Sequence, residues 1–392
     1  MERGNVLVIG NSGVGKSTLI NSVLGEDKAE TGWGTKGTTK ELAIYESQTI
    51  PFRVIDTVGF EPSLLSELKA IGAVKKWSKN SVKEGHEDNK INVIWFCVEG
   101  TSRKLFPKSL KDLSRATAMW ESVPIIVVIT KSYSVPERIQ NVEMVNNAFA
   151  KQKRYSKNLK KIIPVVASTY VLNENAYAAP EGITELIDTT NELMPEGIRA
   201  SETDIASFKL NRKRSFAHGI IGVSTTTAVV VGAVPIAFPD AVILTPIEIG
   251  LVNTLAQIYG IRKNEESKLF LNSIVEVGTV SVAAKAAINA LKVIPGVNLG
   301  ASVINAIIAG SIVLTLGEGT MYAFEQVYLG KKSISDINWV KEIMESKFSS
   351  QFINIVKSIA EKSTNITDSK TLANIIVETF KKSIPSIESK NL

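Results

Sequence analysis

A glycine-rich segment near the start of the chain has the residue types and spacing needed to hold a phosphate chain. It reads GNSGVGKST, from Gly10 to Thr18, and matches the pattern GxxxxGK[ST] in full. Glycines let the backbone turn so that successive N–H groups point at phosphate oxygens, and the start of a following helix adds its positive dipole end. The segment lies between a short apolar run and the helical run LINSVL, which is the setting that such a loop requires.

Within this loop each side chain has an expected role. Lys16 would reach the β- and γ-phosphates and serve catalysis, and the Ser17 hydroxyl would ligate Mg²⁺. The alternative, a glycine-rich turn that binds nothing, is disfavoured by the complete spacing. The residues expected to contact nucleotide here are Asn11, Ser12, Gly13, Val14, Gly15, Lys16, Ser17 and Thr18.

Two further segments could complete a metal and γ-phosphate site. DTVGF, from Asp56 to Phe60, is a DxxG in which the aspartate could hold Mg²⁺ through water and the Gly59 N–H could sense the γ-phosphate. The segment GTKGTTKE offers Thr38 or Thr39 as a switch threonine, of which we favour Thr39. The expected metal ligands are therefore Ser17, Thr39 and Asp56, and the expected catalytic residues are Lys16, Thr39 and Gly59.

The elements that position these residues follow from the apolar pattern. Six short β-branched runs predict buried strands at Val6–Ile9, Leu42–Tyr45, Phe52–Ile55, Ile91–Val98, Pro124–Ile129 and Ile162–Val166. Stretches long enough for crossover helices, such as Lys16–Leu24 and Val142–Lys153, lie between them. This alternation predicts an α/β domain with a doubly wound, mainly parallel sheet. The longer segment from Leu64 to Lys90 predicts an inserted helix and loop.

The fifth and sixth predicted strands end in segments that carry a family resemblance. They are ITKSY, at Ile129 to Tyr133, and VVAST, at Val165 to Thr169. With the loop and DxxG above, they resemble the translation-factor-related P-loop GTPases, especially the Era/TrmE-like class, over about residues 5–196. The resemblance implies a nucleotide-switched hydrolase that uses Mg²⁺. It also implies a nucleotide contact at Asp56 and contacts with the base at Thr130, Lys131, Ala167 and Ser168.

Two departures from the family pattern bear on function. Tyr133 stands where the family places the aspartate that pairs with guanine, so selection of GTP over ATP becomes an open question. Phe60 follows DxxG where many switch GTPases carry a glutamine that orients the attacking water, which predicts slow intrinsic turnover. The fourth loop position is Gly13 rather than the asparagine of potassium-activated members, so we predict no potassium requirement.

The second half of the chain is apolar and helical in pattern. A polar and basic linker helix over 199–215 precedes 25 residues free of Asp, Glu, Lys and Arg, and a second such run of 25 lies between Lys292 and Glu318. Both runs reach transmembrane length, but internal hydroxyls and prolines make insertion marginal. A buried helical bundle and a membrane-associated domain therefore remain alternatives. Residues 335–384 predict two or three amphipathic helices.

The segment GAVPIAFPD, from Gly232 to Asp240, carries a second resemblance. Together with LKVIPGVNLGASVINA, from Leu291 to Ala306, it resembles the C-terminal helical domain of unknown function in a group of microbial GTPases with the signature GxxPIxxPD. The resemblance implies no established activity for this domain. We expect a G domain over 1–198, an apolar helical domain over 199–334, and amphipathic helices with a tail over 335–392.

Net charge and the counts of cysteine and histidine exclude some classes of function. The 392 residues carry a net charge of +6, spread over both halves, so no specific nucleic-acid partner is predicted. The lone cysteine, Cys97, and the two histidines, His86 and His218, cannot build a Cys/His metal cage. We expect a cytoplasmic protein, with peripheral or integral membrane association through 215–330 as the alternative. The basic run from Lys151 to Lys161 predicts a solvated helix face or a contact with anionic lipid.

The combined pattern predicts a Mg²⁺-dependent GTPase switch whose nucleotide state is coupled to the helical domain. One rival is a dynamin-like membrane-acting GTPase, and another is a scaffold that holds nucleotide with negligible turnover. Expected partners are GTP and GDP, a protein effector, a second copy through the G domain, and an anionic membrane surface.

Overall fold

The structure is a computed structural model of the chain. It describes residues 3–11, 13–25, 43–47, 50–56, 90–101, 122–151, 157–173, 176–198, 200–233, 244–262, 264–278, 300–347, 350–363, 366 and 368–383. The chain divides into two compact units, Met1–Tyr170 with Pro180–Arg212 and Val171–Ala179 with Lys213–Leu392. Each unit is considered by itself.

The first unit is built on a six-stranded sheet. Its strands are β1 (Gly4–Ile9), β2 (Ala43–Tyr45), β3 (Phe52–Asp56), β4 (Ile91–Glu99), β5 (Ile125–Thr130) and β6 (Leu159–Pro164). They lie in the order β2-β3-β1-β4-β5-β6, and β2 is antiparallel to β3 while every other neighbouring pair is parallel. The helices described in this unit are α1 (Lys16–Leu24), α2 (Val135–Ala150) and α3 (Ile183–Leu193).

The central strands are buried on both faces, which explains their nearly continuous apolar sequence. Every residue of β1 and β5 is buried, and β4 is buried at all but two positions. Trp95 of β4 is fully buried, and its Nε1 donates to Thr190 Oγ1 of α3 at 2.9 Å. Because β1, β3, β4 and β5 are parallel, their carboxyl ends meet at one edge of the sheet, where ligands bind in open α/β folds.

The predicted α/β class with a mainly parallel sheet is confirmed, and so are six strands at nearly the predicted positions. Helix α1 has the predicted bounds. The prediction for Val142–Lys153 was wrong in its start, because α2 begins at Val135 with a proline in its first turn, which the fixed φ of proline favours. The interpretation of Lys151–Lys161 as one helix face was also wrong, since Leu159–Lys161 opens β6, an edge strand whose exposed lysines discourage further pairing.

In the described part of the second unit the regular structure is helical apart from a short pair of strands, which sequence reasoning missed. The strands are β7 (Tyr170–Asn173, whose first residue is assigned to the first unit) and β8 (Ala176–Ala178). The predicted polar linker helix and the apolar run after it form one continuous helix, α4 (Glu202–Gly232), within which the division between the units falls. The other described helices are α5 (Thr245–Tyr259), α6 (Glu265–Gly278), α7 (Ala301–Tyr328), α8 (Ile337–Lys347), α9 (Ser350–Lys362) and α10 (Ser369–Ser383). The last three confirm the amphipathic helices predicted over 335–384.

Small residues let the helices of the second unit approach closely. A Cβ on Gly317 of α7 would lie 2.7 Å from the Ile221 side chain of α4, so no larger residue fits there. Nearby, Arg214 of α4 makes a two-pronged ion pair with Glu325 of α7, whose Nε to Oε2 distance is 2.8 Å. Helices α4 and α7 are thereby held together by apolar packing along their length and by this ion pair.

Two helices in the described part of the chain are long and apolar enough to cross a membrane by length and composition. They are Asp204–Gly232 and Ala301–Tyr328, and their most apolar windows are 39% and 67% buried inside the protein. A core helix of a soluble protein passes the same test, so this finding alone does not place the unit in a membrane.

Several predictions fall outside the described residues. They concern Ser12, Thr38, Thr39, Gly59, Phe60, His86, the segment 64–89, most of the GAVPIAFPD signature, Pro295 and the C-terminal tail. They stay predictions.

Candidate functional site

The glycine-rich loop joins the carboxyl end of β1 to the start of α1. Gly13 and Gly15 have φ angles of 81° and 95°, in the left-handed region where a side chain is strained. Helix α1 begins at Lys16, directly after the second of these glycines. The loop therefore delivers the N-terminus of α1, with its positive dipole end, to the edge of the sheet.

The loop also lies tightly against the neighbouring strand β4. A Cβ on Gly10 would come within 2.5 Å of the Cys97 carbonyl oxygen and 3.1 Å of the Cys97 Cβ. Because the first of these atoms belongs to the backbone, the contact cannot be relieved by moving a side chain. Gly10 is required by close approach, whereas Gly13 and Gly15 are required by backbone conformation.

Lys16 is held over the loop by two backbone carbonyls. Its Nζ donates to the oxygen of Gly10 at 2.7 Å and to the oxygen of Asn11 at 3.1 Å. The ammonium is half-buried, and Ser17 and Thr18 beside it are exposed at the start of α1. This arrangement places one cation and two hydroxyls at the mouth of the loop.

Asp56 ends β3, next to β1, and is 5% exposed. The charges of Asp56 and Lys16 both affect the pKa of the buried thiol of Cys97. Burial raises the pKa of Cys97 to about 12, while Lys16 lowers it and Asp56 raises it further. Burial and, secondly, Asp56 also raise the pKa of Tyr45 on β2. The lysine and the aspartate thus both lie near the carboxyl end of β1, Lys16 on the Gly10 carbonyl and Asp56 opposite Val8 in the sheet.

The donor chemistry at this edge fits a hard divalent cation. Mg²⁺ takes oxygen ligands and commonly uses one or two carboxylates or hydroxyls together with substrate phosphates. The Ser17 hydroxyl and the Asp56 carboxylate supply such oxygens, in the loop and on the adjacent strand. Thr39 and Gly59, the other predicted members of this set, lie outside the described residues.

Thr130 and Lys131 follow the end of β5 and are tied to the phosphate loop. The buried Thr130 hydroxyl lies against two carbonyls, donating to Val14 in the loop or to Val98 on β4, the latter at 3.1 Å. Lys131 Nζ donates to the Gly13 carbonyl at 2.9 Å. Among the described residues other than glycine, Lys131 alone has a positive φ, 53°. The predicted base-side and phosphate-side segments are therefore joined directly.

Glu99 is a member of this site that sequence reasoning missed. It ends β4 and accepts from Lys131 Nζ at 2.7 Å and from Thr101 Oγ1 at 2.8 Å. The hydrogen bond from Lys131 is the main reason that the pKa of Glu99 is lowered. An acidic residue at the carboxyl end of a predicted strand, beside a strand ending in TK, was the signal available in the sequence.

The loops after β5 and β6 are fixed to each other. The Ser132 amide donates to the Val165 carbonyl at 3.2 Å, and the Val165 amide donates to the Ile129 carbonyl at 2.7 Å. Arg138 of α2 donates from Nε to the Ser132 carbonyl and from Nη1 to Glu181, each at 2.7 Å. Arg138 and Glu181, which sequence reasoning also missed, brace the Ser132 loop.

The other predicted base-side residues, Ala167 and Ser168, lie in the loop after β6, which these hydrogen bonds join to the loop after β5. Ala167 is half-buried and Ser168 is exposed, just beyond the end of β6. The structure thus brings Lys16, Lys131 and the β6 loop to one edge of the sheet. Which of them contact nucleotide stays a prediction.

Known proteins resemble both halves of the chain. Residues 5–131 match the family described as 50S ribosome-binding GTPase, and residues 201–348 match a domain of unknown function, DUF697. The GTPase Era of Clostridium botulinum (strain Eklund 17B / Type B) is 26% identical over 207 residues, which cover 50% of this chain and 57% of that protein. The tRNA modification GTPase MnmE of Campylobacter fetus subsp. fetus (strain 82-40) is 34% identical over 110 residues, covering 27% of this chain and 22% of that protein.

A solved structure gives a weaker likeness. The crystal structure of a probable GTP-binding protein engB has a TM-score of 0.32 at 20% identity, covering 48% of this chain and 98% of that one. The chain spans about half the length of the GTPase Era that it matches. The predicted resemblance to Era/TrmE-like P-loop GTPases is confirmed by the family match and by these relatives.

Proposed function

We propose that the P-loop GTPase domain of this chain makes it a Mg²⁺-dependent switch that binds and hydrolyses GTP. The observation that carries the proposal is the shared contact of two lysines with one loop. Lys16 Nζ lies on the Gly10 and Asn11 carbonyls, and Lys131 Nζ lies on the Gly13 carbonyl. A nucleoside triphosphate laid along this loop would meet one cation at its terminal phosphates and the other at its base side.

Different residues of the chain are proposed to bind the phosphates, to neutralise their charge and to hold the metal ion during phosphoryl transfer. The loop amides and the start of α1 bind the phosphates, and Lys16 neutralises charge that develops between the β- and γ-phosphates. Ser17 and Asp56 would hold Mg²⁺, which supplies charge neutralisation at the phosphate oxygens when bound. Thr39 and Gly59 are proposed to close over the γ-phosphate, which makes the segments around them sensitive to hydrolysis.

We expect the intrinsic rate of hydrolysis to be slow. Phe60 follows the DxxG segment, and a phenyl ring can neither donate to nor accept from an attacking water. A second copy of the chain or a protein effector would then have to position the water. A rate that rises steeply with protein concentration would support the second copy.

Nucleotide binding is tested by titration calorimetry with GDP and GTP, each with and without Mg²⁺. The proposal expects GTP binding that Mg²⁺ strengthens and that Lys16→Ala weakens by at least tenfold. Lys161→Ala is the matched control, because Lys161 is an exposed lysine of the same unit that pairs with Glu185 at 2.8 Å, away from the loop. Equal affinities for wild type and Lys16→Ala would contradict the proposed site.

We further propose that nucleotide state is coupled to the helical region. Support comes from chain connectivity, since α4 begins in the first unit and continues into the second as one helix. Coupling requires that the GTP and GDP forms differ in their contacts to that region. Hydrogen exchange of α5 and α7 amides in the two nucleotide states measures this, and identical protection in both states would exclude it.

Membrane association is the second candidate function, and one observation favours it. The apolar window of α4 is only 39% buried in the protein, although the helix is long enough to span a bilayer. Flotation with vesicles of phosphatidylcholine and phosphatidylserine, run without nucleotide and with GDP or a non-hydrolysable GTP analogue, tests it. Absence from the lipid fraction in all three conditions would remove this candidate.

A further inference from the structure

The residue at the position of the base-reading aspartate is engaged in an aromatic stack. The rings of Tyr133 and Tyr170 lie 4.1 Å apart between centroids and are inclined by 17°. Tyr133 follows β5 and Tyr170 follows the β6 loop, so the stack joins the two base-side loops of the first unit. The Tyr133 amide also donates to the Lys131 carbonyl at 2.9 Å, which fixes the backbone of this turn.

Two of the acidic groups that the structure describes around these loops are already paired with cations. Glu99 is paired with Lys131 at 2.7 Å, and Glu181 is paired with Arg138 at 2.7 Å. Glu137 lies exposed in the first turn of α2. A carboxylate that accepts from guanine N1 and N2 would have to give up one of these arrangements first.

The Tyr133 phenol differs from that carboxylate in charge and in the hydrogen bonds that it can make. Burial is the largest cause of a raised pKa at Tyr133, so the hydroxyl stays protonated and neutral at physiological pH. A neutral hydroxyl both donates and accepts, whereas a carboxylate only accepts. It can therefore accept from the N1–H of guanine or donate to N1 of adenine. Strong rejection of one purine requires a buried polar group that the wrong base leaves unpaired.

We propose that the base site accepts purine nucleoside triphosphates without strong selection for guanine, and that Tyr133, held by Tyr170, determines this. The proposal rests on the proposed function, because it concerns the same nucleotide site. Its substrate class is ATP together with GTP. Tyr133 acts on specificity and has no part in the transfer of the phosphoryl group.

The test compares dissociation constants of Mg²⁺–GTP and Mg²⁺–ATP for the full-length wild type, Tyr133→Asp and Tyr133→Phe. The wild type is expected to bind the two nucleotides within tenfold of each other. Tyr133→Asp is expected to raise the preference for GTP at least tenfold, because the aspartate accepts from guanine N1 and N2 but repels the lone pair on adenine N1. Tyr133→Phe keeps the stack and is expected to keep the wild-type ratio.

The outcomes separate this proposal from the one on which it rests. A wild type that prefers GTP by more than tenfold overturns the specificity proposal and leaves the GTPase proposal standing. A wild type that binds neither nucleotide overturns the proposed function itself. Thermal unfolding of each variant shows whether it is folded. The wild-type ratio decides the claim about selectivity even if Tyr133→Asp does not fold, and a folded Tyr133→Asp with the wild-type ratio overturns the role given to Tyr133.

Discussion

The guanidinium of Arg212 lies in the space that a side chain on Gly25 would need, and its Nη1, Cζ and Nη2 are the atoms nearest to the position of a Cβ there. Gly25 ends α1 with a φ of 72° and donates its amide to the Asn21 carbonyl at 2.7 Å. Arg212 is 6% exposed, and its guanidinium lies over the Phe208 ring at 5.2 Å. A buried arginine of α4 therefore packs against the C-terminal end of α1, the helix that begins at the phosphate loop.

This contact predicts that Gly25→Ala is more damaging than backbone strain alone. A left-handed residue with a side chain costs about 1 kcal/mol or more, and the new Cβ must also displace the guanidinium of Arg212 from its buried position, which adds to that cost. The measurement is the free energy of unfolding, by chemical denaturation, of the unit that carries each substitution. Gly260→Ala is the matched control, since Gly260 caps α5 with a φ of 76° and has no atom within 4 Å of its Cβ position.

A double-mutant cycle with Arg212→Ala isolates the clash. The cost of Gly25→Ala should fall toward that of Gly260→Ala once the guanidinium is gone. An unchanged cost in the Arg212→Ala background would show that the arginine does not limit space at Gly25.

The Thr130 hydroxyl gives a second prediction, at the joint between the phosphate loop and β5. Thr130→Val removes the donor that serves the carbonyls of Val14 and Val98 and leaves them buried. We expect a loss of about 1–3 kcal/mol in the free energy of unfolding, the cost of unsatisfied buried groups. We also expect weaker GTP binding, because the loop loses one of its two ties to the end of β5, the other being the hydrogen bond of Lys131 to the Gly13 carbonyl. Thr130→Ser retains the donor and should stay close to wild type in both measurements.

The phosphate loop could be predicted from a local sequence pattern. Contacts between residues distant in sequence could not be predicted, because they depend on how the strands pair in the fold. GNSGVGKST specifies its own turn and helix start, so Lys16 and the bounds of α1 could be read from neighbouring residues. The pairing of Lys131 with Glu99 depends on the register of β4 beside β5, in which Glu99 lies opposite Thr130. The stack of Tyr133 on Tyr170 depends on a strand, β7, too short to leave a clear alternating pattern.

The packing of the second half of the chain could not be predicted from the sequence either, for a different reason. Its composition predicted apolar helices, and helices were found. An apolar run is equally consistent with burial in a bundle and with a bilayer, because both environments favour the same residues. Gly317 and Ile221 can be recognised as close packing partners only once α4 and α7 lie side by side.

A buried carboxyl in α5 predicts a pH dependence of stability. Glu248 is 1% exposed, and burial raises its pKa from 4.5 to about 7. The folded state therefore holds this proton where the unfolded chain releases it. The free energy of unfolding should be highest below pH 4.5, fall as the pH rises to about 7, and be level above, with a total change of about 3 kcal/mol from this group.

Glu248→Gln removes the titrating group while keeping its shape. The variant should match the wild type near pH 4.5 and exceed its stability at pH 8, as measured by denaturant unfolding at both values. Glu276→Gln, at an exposed glutamate that pairs with Lys341 at 3.3 Å, serves as the control and should leave the wild-type pH profile unchanged. Parallel profiles for wild type and Glu248→Gln would contradict the prediction.

Hydrolysis at the Lys16 loop is tested most directly by multiple-turnover release of phosphate from GTP. The assay compares the full-length wild type with Lys16→Ala, each with Mg²⁺ and with excess chelator. The account predicts slow release by the wild type that continues past one phosphate per protein, requires Mg²⁺ and is abolished in Lys16→Ala. Release that stops at or below one phosphate per protein, or that is equal in Lys16→Ala, would contradict it and favour a scaffold that holds nucleotide without turning it over.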